Sequence, residues 1–215
     1  PFYASYLKET GLKHPMYKQI LDSQISDPDI ICKFCSNGPV SKPYQYQKHM
    51  TQHMLKKFNK DFIHNLTNAF LIRRPDLVLN SFKKKHFNYE LSDLGFKQQF
   101  ELFELVKDKS GFVPPVIDSE DLINNPKRIL KKLCESIGIK FLESMLSWEL
   151  GPKHYDGIWG RHWYGEINRS SHFRSELSLS ESSGSKAPLS DKEVEIIETA
   201  YKYYNDLCKI KINVN

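Results

Sequence analysis

The chain has 215 residues, of which 40% are hydrophobic, 13% aromatic and 27% charged. That is long enough for one domain with a real core and too aromatic for a disordered chain. A formal charge of +5 favours anionic ligands, a phosphorylated cofactor or nucleic acid among them, and no apolar run approaches the ~20 residues of a membrane span.

Four cysteines, Cys32, Cys35, Cys134 and Cys208, are too few for a disulfide scaffold of this size and point to a reducing, cytoplasmic compartment. Pro1-Phe2-Tyr3 has no basic-then-apolar leader pattern and reads as a cut end.

In chain order, His14-Pro15 opens a short helix carrying Ile20 and Leu21, and the stretch from Ser26 to Pro43 reads as turns leading to an extended segment, Tyr44–Lys48. Thr67–Ile72 is an apolar run of strand length that stops at Arg73-Arg74, after which Pro75 opens a helix bearing Leu77, Val78 and Phe82. A helix from Asp93 to Lys109 aligns Phe96, Phe100, Phe103 and Val106, and Gly111 ends it. Val113–Ile117 is a second strand, irregular in its first half because of Pro114 and Pro115. After Asn125-Pro126, Ile129, Leu130, Leu133, Cys134 and Ile137 share one helical face, stopped at Gly138.

Residues 173–189 are Ser-rich and read as a mobile loop. The capping box Ser190-x-x-Glu193 starts a last helix with a stripe of Val194, Ile197, Tyr201, Tyr204 and Cys208. Strands alternating with helices predict an α/β fold with a parallel sheet, as a single domain over 1–215.

A strand that ends in arginine and passes directly into a helix puts a guanidinium beside that helix's N-terminus. Backbone donors and the helix dipole there favour an anion, which the guanidinium can grip bidentately. Here the arginine is Arg73, with Ser81 eight residues later.

Three ordered segments carry a resemblance. They are Phe70-Leu-Ile-Arg-Arg-Pro75 with Ser81; Pro115-Val-Ile-Asp-Ser-Glu-Asp-Leu122 continued by Pro126 and Ile137-Gly-Ile139; and Asp156-Gly-Ile-Trp159 with His162-Trp-Tyr164. Together they resemble the PAPS-dependent sulfotransferase family, most closely its divergent members labelled branched-chain aminotransferase-like.

The resemblance implies a P-loop NTPase-like parallel sheet flanked by helices and the cofactor PAPS (3′-phosphoadenosine 5′-phosphosulfate). It implies Arg73 and Ser81 at the cofactor's 3′-phosphate, and Gly157, Trp159, Trp163 and Tyr164 as a late cofactor loop. Where Arg74 stands the family usually has Asp, and the arginine adds positive charge. The family's catalytic Lys and His fall at Lys48 and His53, with His49 in reserve as base. No Lys-Ser/Thr phosphosulfate loop occurs, so the first strand and that loop are expected upstream of Pro1.

The activity implied is sulfuryl transfer to a hydroxyl or amine of a small-molecule or lipid acceptor, with no nucleic-acid partner. Two other readings stand beside it. One is an inactive nucleotide-binding or interaction module. The other takes Cys32-x2-Cys35 and His49-x3-His53 as the zinc ligands of a nucleic-acid-binding protein. Pro39, Pro43 and the lack of a finger core count against zinc, and no metal ligand is expected.

Overall fold

Capping residues and prolines set most helix starts in this chain. The computed structural model describes residues 1–84, 88–173 and 188–213, and the chain forms two compact units, Pro1–Thr67 with Leu150–Arg169, and Asn68–Glu149 with Ser170–Asn215.

The first unit opens with α1 (Tyr3–Thr10), which ends at Gly11; its φ of +69° is one that side-chain-bearing residues avoid. After His14-Pro15 comes α2 (Tyr17–Ser23). Tyr3, Ala4, Tyr6, Leu7 and Ile20 are the buried centre of this unit, with Leu21, Leu55, Ile158 and Trp159 packed against them.

The expected run of turns from Ser26 to Pro43 is corrected: α3 spans Pro28–Asn37. Asp27 caps it, its carboxylate accepting from the N–H groups of Asp29 (2.9 Å) and Ile30 (3.1 Å), and Pro28 takes the first helical position. Ile31, Cys32 and Cys35 form its buried face. Beyond it, Tyr44–Lys48 joins no strand among the described residues, and Thr51–His53 is a single 3-10 turn.

In the second unit, β1 (Phe70–Ile72) pairs in parallel with β2 (Val116–Asp118), Phe70 opposite Val116 and Ile72 opposite Asp118. The second strand begins after Pro115, whose ring cannot donate to a ladder, while Pro115 O accepts from Phe70 N–H at 2.9 Å. Between the strands run α4 (Pro75–Phe82), α5 (Leu91–Leu94) and α6 (Phe96–Ser110). The single helix expected from Asp93 is broken at Gly95, whose φ of +77° interrupts the helical path. On α4 the fully buried side chains are Pro75 and Leu79, rather than the expected Leu77, Val78 and Phe82.

After β2 come α7 (Ser119–Asn124), capped by Asp118, and α8 (Pro126–Ser136), which buries Ile129 and Cys134. Ile72, Leu79, Phe103, Val116 and Ile129 are the dry centre of this unit.

The segment 150–169 returns to the first unit and contains the short helix α9 (Gly160–Trp163), its ends joined by Gly151 N–H donating to Asn168 O at 2.8 Å. Residues 174–187, the bulk of the Ser-rich stretch, lie outside the described residues.

The last helix, α10 (Asp191–Cys208), starts on the expected Ser190–Glu193 capping box. Its buried stripe is Ile196, Ala200, Tyr204 and Leu207, while Val194 is exposed. The two stripes are one helical face apart and share Tyr204. No helix among the described residues is long and apolar enough to cross a membrane.

Candidate anion and base sites

At the strand end, the ladder places Arg73 immediately past Ile72 and just ahead of α4. Arg73 is exposed and makes no hydrogen bond or ion pair among the described residues. The next residue behaves differently. Arg74 donates from Nε to Asp76 Oδ1 at 3.1 Å, from one terminal nitrogen to Asp76 Oδ2 at 2.8 Å, and from the other to Glu120 Oε1 at 3.3 Å. Tyr201 on α10 donates its hydroxyl to the same Asp76 Oδ1 at 2.8 Å.

The charge expected from Arg74 is therefore largely neutralised. The hydrogen bond to Asp76 raises the guanidinium's pKa further. Burial works against the Asp76 carboxylate, but the hydrogen bonds from Tyr201 and Arg74 outweigh it and hold its pKa below the usual range. The arrangement ties the start of α4 to α7 and α10 and leaves Arg73 as the uncommitted cation. Ser81, exposed on the last turn of α4, lies ~9 Å along the helix axis from Pro75.

In the first unit the structure gathers aromatic rings around a histidine. His53 is stacked between Tyr3, at 4.7 Å between centroids and 8° between planes, and Tyr6, at 4.7 Å and 29°. Tyr3 meets Trp159 edge-on at 6.3 Å. The Tyr3 hydroxyl is hydrogen-bonded to Nδ1 of His14, 3.0 Å away. Burial lowers the pKa of His53 to about 3 and that of His49 to about 4. Both are neutral imidazoles at ordinary pH, able to accept a proton though weakly basic.

His49 packs against Phe2 and Phe62, and its Nε2 lies 3.1 Å from Gln47 Oε1. Gln47 is held in turn by its donation to Cys35 O at 2.8 Å. Lys48 is exposed.

On the 150–169 segment, a Cβ at Gly157 would come within 2.0 Å of the Trp159 ring, so the folded-back indole requires glycine there. Tyr164 lays its ring over Gly160, and Trp159 and Trp163 are half-buried. Sequence reading missed Tyr3, Tyr6 and His14; the i, i+3 spacing of the two tyrosines on α1 and the His14-Pro15 pair were the signals available.

The cysteines of the zinc pattern are free thiols buried on α3. Cys32 donates to Asn59 O at 3.3 Å, and burial raises the pKa of both thiols, away from the thiolate a metal needs. Among the described residues no group of three or more His, Cys, Asp or Glu is placed to hold a metal ion.

A parallel strand pair flanked by helices, with Arg73 exposed between the end of β1 and the start of α4, makes the second unit an α/β arrangement. The chain belongs to the sulfotransferase domain family, whose model matches residues 1–208.

It is also similar to two proteins of Arabidopsis thaliana, branched-chain-amino-acid aminotransferase-like proteins 2 and 1, with 33% and 34% identity over 177 residues. The match covers 81% of this chain and 31% of each relative, so the chain spans about a third of the length of the curated relatives it matches. No solved structure matches it.

Proposed function

We propose that the protein transfers a sulfuryl group from PAPS to a hydroxyl or amine of a small-molecule or lipid acceptor, in the cytoplasm. The observation that carries this reading is the contrast between the two adjacent arginines: Arg74 is tied to carboxylates, whereas Arg73 has no protein partner among the described residues. An exposed guanidinium beside the N-terminus of α4 suits a phosphate group. Arg73 and Ser81 would hold the 3′-phosphate, and Gly157, Trp159, Trp163 and Tyr164 would receive the adenosine.

PAPS, when bound, supplies the sulfuryl group and departs as adenosine 3′,5′-bisphosphate. His53 would take the proton from the acceptor as its oxygen or nitrogen bonds to sulfur. His49 is the reserve base, and Lys48 would offset charge that develops on the leaving phosphate. Positioning and electrostatics supply most of the rate, as in phosphoryl transfer.

The low basicity of His53 favours a second reading, a nucleotide-binding module without turnover. Titrating the full-length protein with adenosine 3′,5′-bisphosphate and following PAPS turnover over phenol, alcohol and amine acceptors separates the two. Binding with turnover supports the enzyme, binding with none supports the module, and no binding contradicts both.

A further inference from the structure

We infer that Tyr3 is the positioning residue of the proposed base: with Tyr6 it clamps the His53 ring in one orientation and joins it to the aromatic segment that carries Trp159 and Trp163. The inference rests on the reading of His53 as base. Its own ground is geometric.

Two tyrosines one helical turn apart on α1 present their rings on the same face. The imidazole of His53 enters between them at 4.7 Å from each centroid. An 8° plane angle with Tyr3 means that rotating the imidazole would cost the stacked contact on that side. Tyr3 is itself fixed at its far end. Its hydroxyl is hydrogen-bonded to His14 Nδ1 at 3.0 Å, and its ring meets Trp159 edge to face at 6.3 Å. Only 9% of Tyr3 is exposed, so solvent does not compete for these contacts.

The titratable groups that face His53 are Tyr3, Tyr6 and His14. None is an acid that would hold a proton on the imidazole at neutral pH. The clamp keeps the ring neutral by excluding water, and the two-sided stack leaves its edge as the direction in which a nitrogen can reach a substrate proton. Any movement of the Trp159–Trp163 segment is transmitted to that edge through one phenol.

The test follows the His53 ring proton by NMR through a pH titration of the full-length protein. It also follows release of adenosine 3′,5′-bisphosphate from PAPS, with water as the default acceptor. Tyr3→Leu should move the His53 midpoint up by at least one pH unit and reduce turnover at least tenfold with a smaller change in KM for PAPS. Tyr3→Phe keeps the stack but drops the bond to His14. It should leave the midpoint within half a unit of wild type and cost turnover a fewfold, which keeps the test decisive if Tyr3→Leu does not fold.

An unmoved midpoint in Tyr3→Leu, or turnover unchanged in both Tyr3 variants while His53→Gln abolishes it, overturns the positioning role and leaves the base assignment standing. Full turnover in His53→Gln instead removes the base reading, and with it the purpose assigned to the clamp.

Discussion

Arg74 holds both carboxylate oxygens of Asp76, two residues along the chain, at 3.1 and 2.8 Å. This pairing commits one arginine to the β1–α4 turn and leaves the exposed Arg73 side chain outside it. Arg74→Ala should therefore lower stability by only about 1 kcal/mol, because the guanidinium is partly exposed and screened. It should weaken adenosine 3′,5′-bisphosphate binding a fewfold at most. Thermal melts and calorimetry of the variant check both; a loss of affinity as large as that of Arg73→Ala would make Arg74 a ligand.

The carboxylate of Glu193 accepts from Ser190 N–H at 2.8 Å, Tyr89 hydroxyl at 2.7 Å and Lys83 Nζ at 3.0 Å, binding the start of α10 to the region after α4. Those hydrogen bonds, the backbone one first, lower its pKa to about 2. A carboxyl depressed in the folded state stabilises fully above its unfolded value of 4.5 and loses that contribution as pH falls toward about 2. Glu193→Gln should cost about 1–2 kcal/mol at pH 7 and much less at pH 3, measured by urea unfolding at the two pH values. An equal cost at both would show that the charge is irrelevant.

Tyr204 donates to buried Asp118 across 2.6 Å, and the same carboxylate caps α7 through Glu120 N–H at 2.8 Å. Burial, then this bond, raises the pKa of the phenol. Tyr204→Phe removes one donor from a carboxylate that is 2% exposed and should destabilise by about 1.5–3 kcal/mol. Denaturant unfolding that leaves the midpoint unchanged would contradict the role given to this pair.

Cys32 and Cys35 are buried thiols with raised pKa values. They should react with an aromatic disulfide reagent far more slowly in the native protein than in denaturant, and purified protein should carry no stoichiometric zinc. One zinc per chain, lost on Cys32→Ser, would remove both thiols from the core account and His53 from the base account.

The sequence made the β1–α4 junction legible because every signal there is local: an apolar run, the arginines and Pro75 at the first helical position. Helix α3 was hidden because Ser26, Asp27, Pro28, Asn37, Gly38 and Pro39 read as turn formers, although Asp27 and Pro28 act as cap and first residue. On α10, Ile196 and Ile197 lie side by side, as do Tyr203 and Tyr204, and offer two stripes of nearly equal apolarity; only packing in the folded unit selects between them. The Tyr3–His53 stack joins residues fifty apart, beyond the reach of any periodicity. The two-sided burial that sets the histidine's protonation is likewise a property of the fold alone.

The central claim is that Arg73 grips a 3′-phosphate. Charge-assisted contacts of arginine with phosphate contribute about 1.5–3 kcal/mol. In calorimetric titrations of the full-length protein, Arg73→Ala should weaken adenosine 3′,5′-bisphosphate roughly tenfold to a hundredfold, following from those energies. Adenosine 5′-phosphate, which lacks the 3′ group, should bind the variant and the wild type alike. Equal weakening of both nucleotides, or of neither, would contradict the account.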